Sequence, residues 1–260
     1  MKTVPNYPVG KNLLAGKTVL VTAAAGTGIG YATAQRCAEE GAAKMVISDI
    51  HERRLNEAAE RVEAATGMKP GMVLCNVTKE EDVQNMFASA IEQMGHIDVL
   101  MNNAGLGGTK DVVDMTDDEW AVVLDVTLTG TFRCTRAALK HMYARKSGAI
   151  VNNASVLGWR AQKGQAHYAA AKAGVMAFTR CSAVEAADHN VRINAIAPSL
   201  AKHPFLVKVT TKELLEELES KEAYGRGAEP WEMANIMIFL ASDYASYLTG
   251  EIISASSQRA

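Results

Sequence analysis

Short runs rich in β-branched residues alternate along this chain with longer stretches whose apolar positions recur every three to four residues. The first pattern predicts strands at 17–22 (KTVLVT), 44–49 (KMVISD), 71–77 (GMVLCNV), 97–102 (IDVLMN), 148–153 (GAIVNN), 191–197 (VRINAIA) and 251–254 (EIIS). The second predicts helices over 28–41, 51–65, 79–94, 117–145, 165–188 and 229–242. Such alternation is the signature of βαβ units, so the expected fold is an α/β, Rossmann-type, doubly wound sheet of seven mostly parallel strands with helices on both faces. No repeat, low-complexity tract or linker divides the 260 residues, which are read as one domain. One stretch breaks the rhythm: residues 198–227, where APSLAKHPFLVKV leads into the charged TTKELLEELESKE and a turn-prone YGRGAEP. An insertion there, after the carboxyl end of a strand, is expected to be a substrate lid.

Composition narrows the function classes. With 48% apolar and 22% charged residues the chain can build a sizeable core, which excludes disorder. A net charge of −2 with Lys and Arg dispersed gives no footprint for nucleic acid or an anionic membrane. Cys37, Cys75, Cys134 and Cys181 form no C-x-x-C pair and read as buried small hydrophobes in a reducing compartment. The first residues lack an apolar signal core and no run of about 18 apolar residues occurs, so a cytoplasmic protein is expected.

The first expected strand runs into TAAAGTGIG (22–30) and then a helix. A glycine-rich turn at a helix N-terminus is an anion site, because small residues let backbone N–H groups approach a pyrophosphate and the helix dipole favours its charge. Alone, Gly26, Gly28 and Gly30 are equally explained by a tight turn and close helix packing. Asp49 strengthens the cofactor reading: it ends the second strand 19 residues after Gly30, near the offset at which an acid meets an adenosine ribose. A carboxylate there accepts from ribose hydroxyls and repels a 2′-phosphate, which favours NAD, with NADP as the second choice. Arg53 and Arg54 could serve a phosphate but are read as helix-surface residues.

Ser155, Tyr168 and Lys172 carry the candidate chemistry. Four apart on a helix, Tyr168 and Lys172 share a face. A phenol with a pKa of about 10 is ionised in roughly one molecule in a thousand at pH 7, and bringing it to neutrality takes ~4 kcal/mol. A unit charge about 4 Å away supplies that order of energy at an effective dielectric near 20, and Lys172 with an oxidised nicotinamide ring is a sufficient source. Ser155, at the end of the fifth strand, would hold a substrate oxygen while Tyr168 acts as acid/base. A Tyr and a Lys at this spacing also arise by chance; their company decides.

That company resembles the short-chain dehydrogenase/reductase family over essentially the whole chain, in its Y-x-x-x-K branch, similar to 3-oxoacyl-thioester reductases and hydroxysteroid dehydrogenases. The marks are LLAGKTVLVT into GTGIG, Asp49, NNAG at 102–105, Ser155 with Tyr168 13 residues later and Lys172 four beyond, VRINAIAP, and GRGAEPWEMANIMIFLASDYASYLTGE. The resemblance implies hydride transfer between a nicotinamide and a secondary alcohol or ketone. It makes Ser155 the oxygen-positioning residue, Tyr168 the acid/base, and Lys172 both the charge that lowers its pKa and a ligand of the nicotinamide ribose. Gly26, Thr27, Gly28, Ile29 and Gly30 would form the diphosphate turn, Asn76 and Val77 would flank adenine, Asn103, Ala104 and Gly105 would line the adenosine half of the groove, and Ser199 would border the nicotinamide. A homotetramer or homodimer packed through helices 117–145 and 165–188 is the family habit.

Departures from the family pattern are specific. Ala23 follows Thr22 where glycine is usual, with one extra residue before Gly28, and alanine lacks glycine's backbone freedom. Thr127 stands where an asparagine usually completes a catalytic tetrad, and its single hydroxyl would leave a proton relay to backbone carbonyls. Asn76 replaces a usual aspartate. PSLAKH replaces P-G-x-x-x-T and puts His203 where a threonine often meets the nicotinamide amide; donating a similar bond, entering the substrate cleft and simple exposure stay open for it. SASSQRA replaces a V-D-G-G tail. His167 is read as structural or cleft-lining, Trp159 and Arg160 as substrate-loop or packing residues, and no cluster has metal-ligand spacing. The expected substrate is an apolar alicyclic alcohol/ketone or a 3-hydroxyacyl thioester, since the lid residues are mostly aliphatic. A nucleotide-binding regulatory or scaffold protein that kept the fold and lost the chemistry is the competing reading.

Overall fold

The computed structural model describes residues 3–203, 206 and 211–257. Its seven strands, β1 (Thr18–Val21), β2 (Lys44–Asp49), β3 (Gly71–Leu74), β4 (Val99–Asn102), β5 (Gly148–Asn153), β6 (Val191–Pro198) and β7 (Ile252–Ala255), form one sheet in the order β3-β2-β1-β4-β5-β6-β7. Every pairing is parallel, so the sheet is a fully parallel version of the one expected. The helices are α1 (Ile29–Glu39), α2 (Glu52–Thr66), α3 (Glu80–Met94), α4 (Asp117–Leu124), α5 (Gly130–Arg145), α6 (Ala166–Ala187), α7 (Lys212–Lys221) and α8 (Pro230–Ala241).

The two faces follow from the pleat, which sends successive side chains to opposite sides. Val19, Val21, Val99 and Met101 pack with α1, α2 and α8 residues such as Tyr31, Leu55 and Met237. Leu20, Leu100 and Ile150 meet Met86 of α3, Met142 of α5 and Ala183 of α6 on the other face. Central β1 and β4 are buried throughout, whereas edge strand β3 alternates. Three expectations need correction. The single helix over 117–145 is three pieces, because Asp125–Thr129 adopts π-helical spacing between α4 and α5. Cys181 is exposed while Cys37, Cys75 and Cys134 are buried, since it falls on the outer face of α6. Strand β3 stops at Leu74, leaving Asn76 and Val77 in the loop that follows. Of the 198–227 segment, residues 204, 205 and 207–210 lie outside the described residues.

The chain reverses its winding between β1 and β4, the switch point at which doubly wound sheets open a crevice beyond the strand ends. Asp49, Asn76, Asn103, Ser155 and Ser199 all sit at or just past carboxyl ends of strands around it.

Candidate active site

The glycine turn leaves β1 through an alanine in the left-handed region: Ala23 has φ +50°. Alanine lacks glycine's backbone freedom, yet this one adopts the left-handed region that favours glycine, at a cost of ~1–2 kcal/mol. The close approach that holds it is at Gly30, where a Cβ would stand 2.1 Å from the Ala23 carbonyl oxygen and 2.5 Å from Asn103 Nδ2. A Cβ at Gly26 or Gly28 would instead meet nothing within 4 Å. The first turn of α1 has no side-chain cap and no acidic residue. An uncapped helix start beside half-buried Thr27 and Ile29 suits a diphosphate. Sequence reasoning missed Arg61, which donates to Gly26 O at 3.0 Å and lies 3.9 Å from the Tyr31 ring centroid, so α2 fastens the turn with its extra residue.

Asp49 accepts from Ala25 N and from His51 N, both at 3.1 Å, which fixes its carboxylate beside the turn with acceptor capacity to spare. Arg53 pairs with Glu57 on the exposed side of α2. Asn76 Oδ1 is taken by Thr78 N and Oγ1, and Val77 is buried against Gly130. The Thr22 hydroxyl receives Asn103 N at 2.9 Å and Ala104 N at 3.1 Å, tying the loop after β4 to the glycine turn.

Ser155 and Tyr168 share the wall of a cleft of about 330 Å³ with Ile29, Asn103, Asn153, Pro198, Ser199 and His203. Lys172 lies behind that wall, 3% exposed, with Nζ donating to the Asn153 carbonyl and standing 5.5 Å from the Tyr168 ring centroid. Burial pushes the Tyr168 phenol above its ordinary pKa, and hydrogen bonding with Ser155 pulls it partly back. Burial pushes Lys172 down to about 7. In the chain by itself, then, desolvation opposes ionisation of both groups, and Lys172 alone does not bring the phenol toward neutrality as its spacing from Tyr168 suggested.

Thr127, fully buried in the π-helical segment, donates to Leu106 O at 3.0 Å and accepts from Leu106 N at 2.9 Å. Its hydroxyl thus anchors the loop after β4. That loop rests on Tyr168 and Lys172: a Cβ on Gly105 would be 3.3 Å from Lys172 Nζ, and one on Gly107 3.4 Å from Tyr168 Cδ2. His167 is buried beneath Gly108 and is absent from the cleft wall. His203 does line the cleft, with burial lowering its pKa. Trp159 is exposed, and from its loop Leu157 and Gln162 face the cleft instead.

A crevice at the switch point, an anion-ready helix start, and a hydroxyl, phenol and amine at one wall define an oxidoreductase of the dinucleotide-dependent kind, and the chain belongs to the short-chain dehydrogenase/reductase family. Residues 23–257 match the family model described as enoyl-(acyl carrier protein) reductase. The chain is 59% identical over 259 residues to the (5R,7aS)-5-hydroxy-7a-methyl-1-oxo-2,3,5,6,7,7a-hexahydro-1H-indene-carboxyl-CoA reductase of Mycobacterium tuberculosis, covering 99% of this chain and 98% of the relative. It is 38% identical to 3-oxoacyl-(acyl-carrier-protein) reductase FabG of Thermotoga maritima, over 92% of this chain and 96% of that one. A crystal structure of a short chain dehydrogenase from Mycobacterium smegmatis superposes with a TM-score of 0.88 at 54% identity, covering 100% of this chain and 99% of the other. Levodione reductase gives 0.89 at 33% identity, over 94% and 97%. The protein is accordingly a reductase/dehydrogenase that works with a nicotinamide cofactor on an alcohol/ketone pair.

Proposed function

We propose that this enzyme interconverts a ring ketone and alcohol on an alicyclic substrate carried as a coenzyme A thioester, using NAD. The observation that carries the substrate class is the end-to-end 59% identity with a reductase named for a methyl-indene carboxyl-CoA compound. Aliphatic cleft residues Ile29, Val156, Leu157, Leu200, Leu206 and Leu218 support it, since they offer a fused ring apolar surface without fixed charge. Asp49 supports NAD, because its pinned carboxylate would face a 2′-phosphate with like charge.

A nicotinamide dinucleotide, when bound, would supply the hydride to the substrate carbonyl carbon or accept it from the carbinol carbon. Ser155 donates its hydroxyl to the substrate oxygen and fixes where that oxygen lies. Tyr168 delivers the proton to this oxygen in reduction and removes it in oxidation, both at its phenolic oxygen. Lys172, in its protonated form, would offset the burial that raises the Tyr168 pKa, and it would hold the nicotinamide ribose. The glycine turn with Thr27 and Ile29 would hold the diphosphate; Asn76 and Val77 would flank adenine, Asn103, Ala104 and Gly105 would border the groove, and Ser199 would border the nicotinamide. Thr127 serves this site through Leu106 and the loop that backs Tyr168. Residues 198–227 act as the substrate lid. The exposed Trp120, Val122, Phe132 and Val184 on α4, α5 and α6 support a homotetramer or homodimer through those helices, which light scattering checks.

The test is turnover of a 7a-methyl-indane-type ketone as its coenzyme A thioester and as the free acid, each with NADH and NADPH. The thioester with NADH should give the highest kcat/KM, and Tyr168→Phe should lower kcat by about 10²–10⁴-fold while dinucleotide binding survives. Equal turnover of the free acid would refute the thioester reading, and preference for NADPH the role of Asp49.

A further inference from the structure

Asparagines meet twice at the carboxyl ends of β4 and β5. Asn102 and Asn152 are partners in register, with Asn102 Nδ2 donating to Asn152 Oδ1 at 3.2 Å in the buried interior. One residue on, and so on the other face of the sheet, Asn153 Nδ2 donates to Asn103 Oδ1 at 2.8 Å. The second pair extends in both directions. Asn103 Nδ2 donates to Ala23 O at 3.1 Å, at the start of the glycine turn. The main-chain carbonyl of Asn153 takes the Lys172 ammonium. A continuous chain of polar contacts therefore runs from the diphosphate turn through two side-chain amides to the lysine behind Tyr168. Asn153 is the residue where it changes from side chain to backbone.

We propose that Asn153 is a positioning residue that couples the state of the glycine turn to the aim of Lys172. Its amide is held to the turn through Asn103, and its carbonyl, part of the same residue, sets the direction from which Lys172 Nζ is held. A shift of Ala23 as the turn closes on a dinucleotide passes through Asn103 to Asn153 and alters how firmly the lysine is fixed beside the phenol. Asparagine is needed because it presents an N–H to Asn103 Oδ1. Leucine has the size without either polar atom; aspartate has the shape, but turns an oxygen toward Asn103 Oδ1. The Asn153 Oδ1 atom is buried with no partner among the described residues, an arrangement that packing alone would not favour. This inference rests on the roles given above to Tyr168 and Lys172.

The test compares wild type with Asn153→Leu and Asn153→Asp by melting temperature, NADH dissociation constant, kcat, and the pH profile of alcohol oxidation. Both variants should melt within a few degrees of wild type and bind NADH within a few-fold. Their kcat should fall about tenfold, ~1.4 kcal/mol of transition-state stabilisation. The rising limb of oxidation should move to higher pH by half a unit or more, since a lysine held less firmly does less to ionise Tyr168. The titratable neighbours are His167 on the same helix and His203 across the cleft, where burial lowers the His203 pKa. Wild-type kcat and pH limb in either folded variant would overturn the coupling, as would a loss of rate that tracks a loss of melting temperature. If Asn153→Leu does not fold, the near-isosteric Asn153→Asp decides alone. A Tyr168→Phe control separates the two failures: full turnover in that variant would sink the catalytic reading itself.

Discussion

Replacing Lys172 with methionine is expected to make the dinucleotide-free protein more stable and, at the same time, inactive. The side chain is 3% exposed, and burial lowers its pKa from 10.5 to about 7. That difference corresponds to ~5 kcal/mol of preference for the neutral amine. Between these two values the unfolded chain binds a proton that the folded chain has released, so stability rises with pH from about 7 to 10.5. Below about 7 the folded protein carries the full burden of a buried ammonium; above 10.5 it carries none. Methionine removes the burden at similar volume but leaves the Asn153 carbonyl without its donor, a loss of ~1–3 kcal/mol. The net gain at pH 6 is therefore ~2–4 kcal/mol, which for a chain of this size raises the melting temperature by roughly 4–15 °C. The gain should shrink above about pH 7 and reverse between about pH 8 and 10. Scanning calorimetry of both proteins at pH 6, 7, 8 and 9.5, paired with an activity assay, measures it. A Lys172→Met protein that melts at or below wild type at pH 6, or a gap that does not close as pH rises, would refute the assignment of a desolvated lysine.

Three further outcomes follow from other parts of the molecule. Ala23→Gly should stabilise the protein by about 0.5–1 kcal/mol in urea unfolding, because it relieves an alanine at φ +50° at some cost in chain entropy; destabilisation would mean the turn is held by the methyl group. Arg36→Met should cost ~3–5 kcal/mol by the same assay, since it strips buried Glu40 of its charge partner and the Pro8 carbonyl of a donor, and adding Glu40→Gln should recover part of the loss. Asp49→Ser should raise kcat/KM for NADPH relative to NADH by on the order of tenfold or more, which steady-state assays with both dinucleotides check.

The sheet was legible in the sequence because its strands are apolar runs punctuated by turns, and a buried run admits few other placements. Catalytic candidates were legible for a similar reason: Ser155, Tyr168 and Lys172 sit at spacings that bring them together once the strand and helix are in place. Four things could not be read that way. Asn153 lies in GAIVNNAS, where the paired asparagines are visible but which face each takes depends on register with β4. The contact of Arg61 with Gly26 joins positions 35 apart through the packing of α2, which periodicity does not report. The direction of the Tyr168 and Lys172 shifts depends on how deeply each group is buried, a property of the assembled cleft, so a pairwise charge estimate gave the sign for a bound state only. The π-helical turn was hidden because VTLTG carries the same apolar spacing as a regular helix over so few residues.

That turn has a consequence for what the chain tolerates. Successive residues of an α-helix rotate by 100°, and a π turn accommodates about one residue more than an α turn. Asp125–Thr129 therefore behaves as a one-residue insertion absorbed without leaving the helix, and it sets the angular phase between α4 and α5. Thr127 reaches both backbone groups of Leu106 from within it. Substitutions along this helix leave the phase alone. Deleting any one of the five residues resets it, turning α4 about its axis relative to α5 and carrying the hydroxyl off the loop that backs Tyr168. Length, more than composition, is what this stretch has to keep.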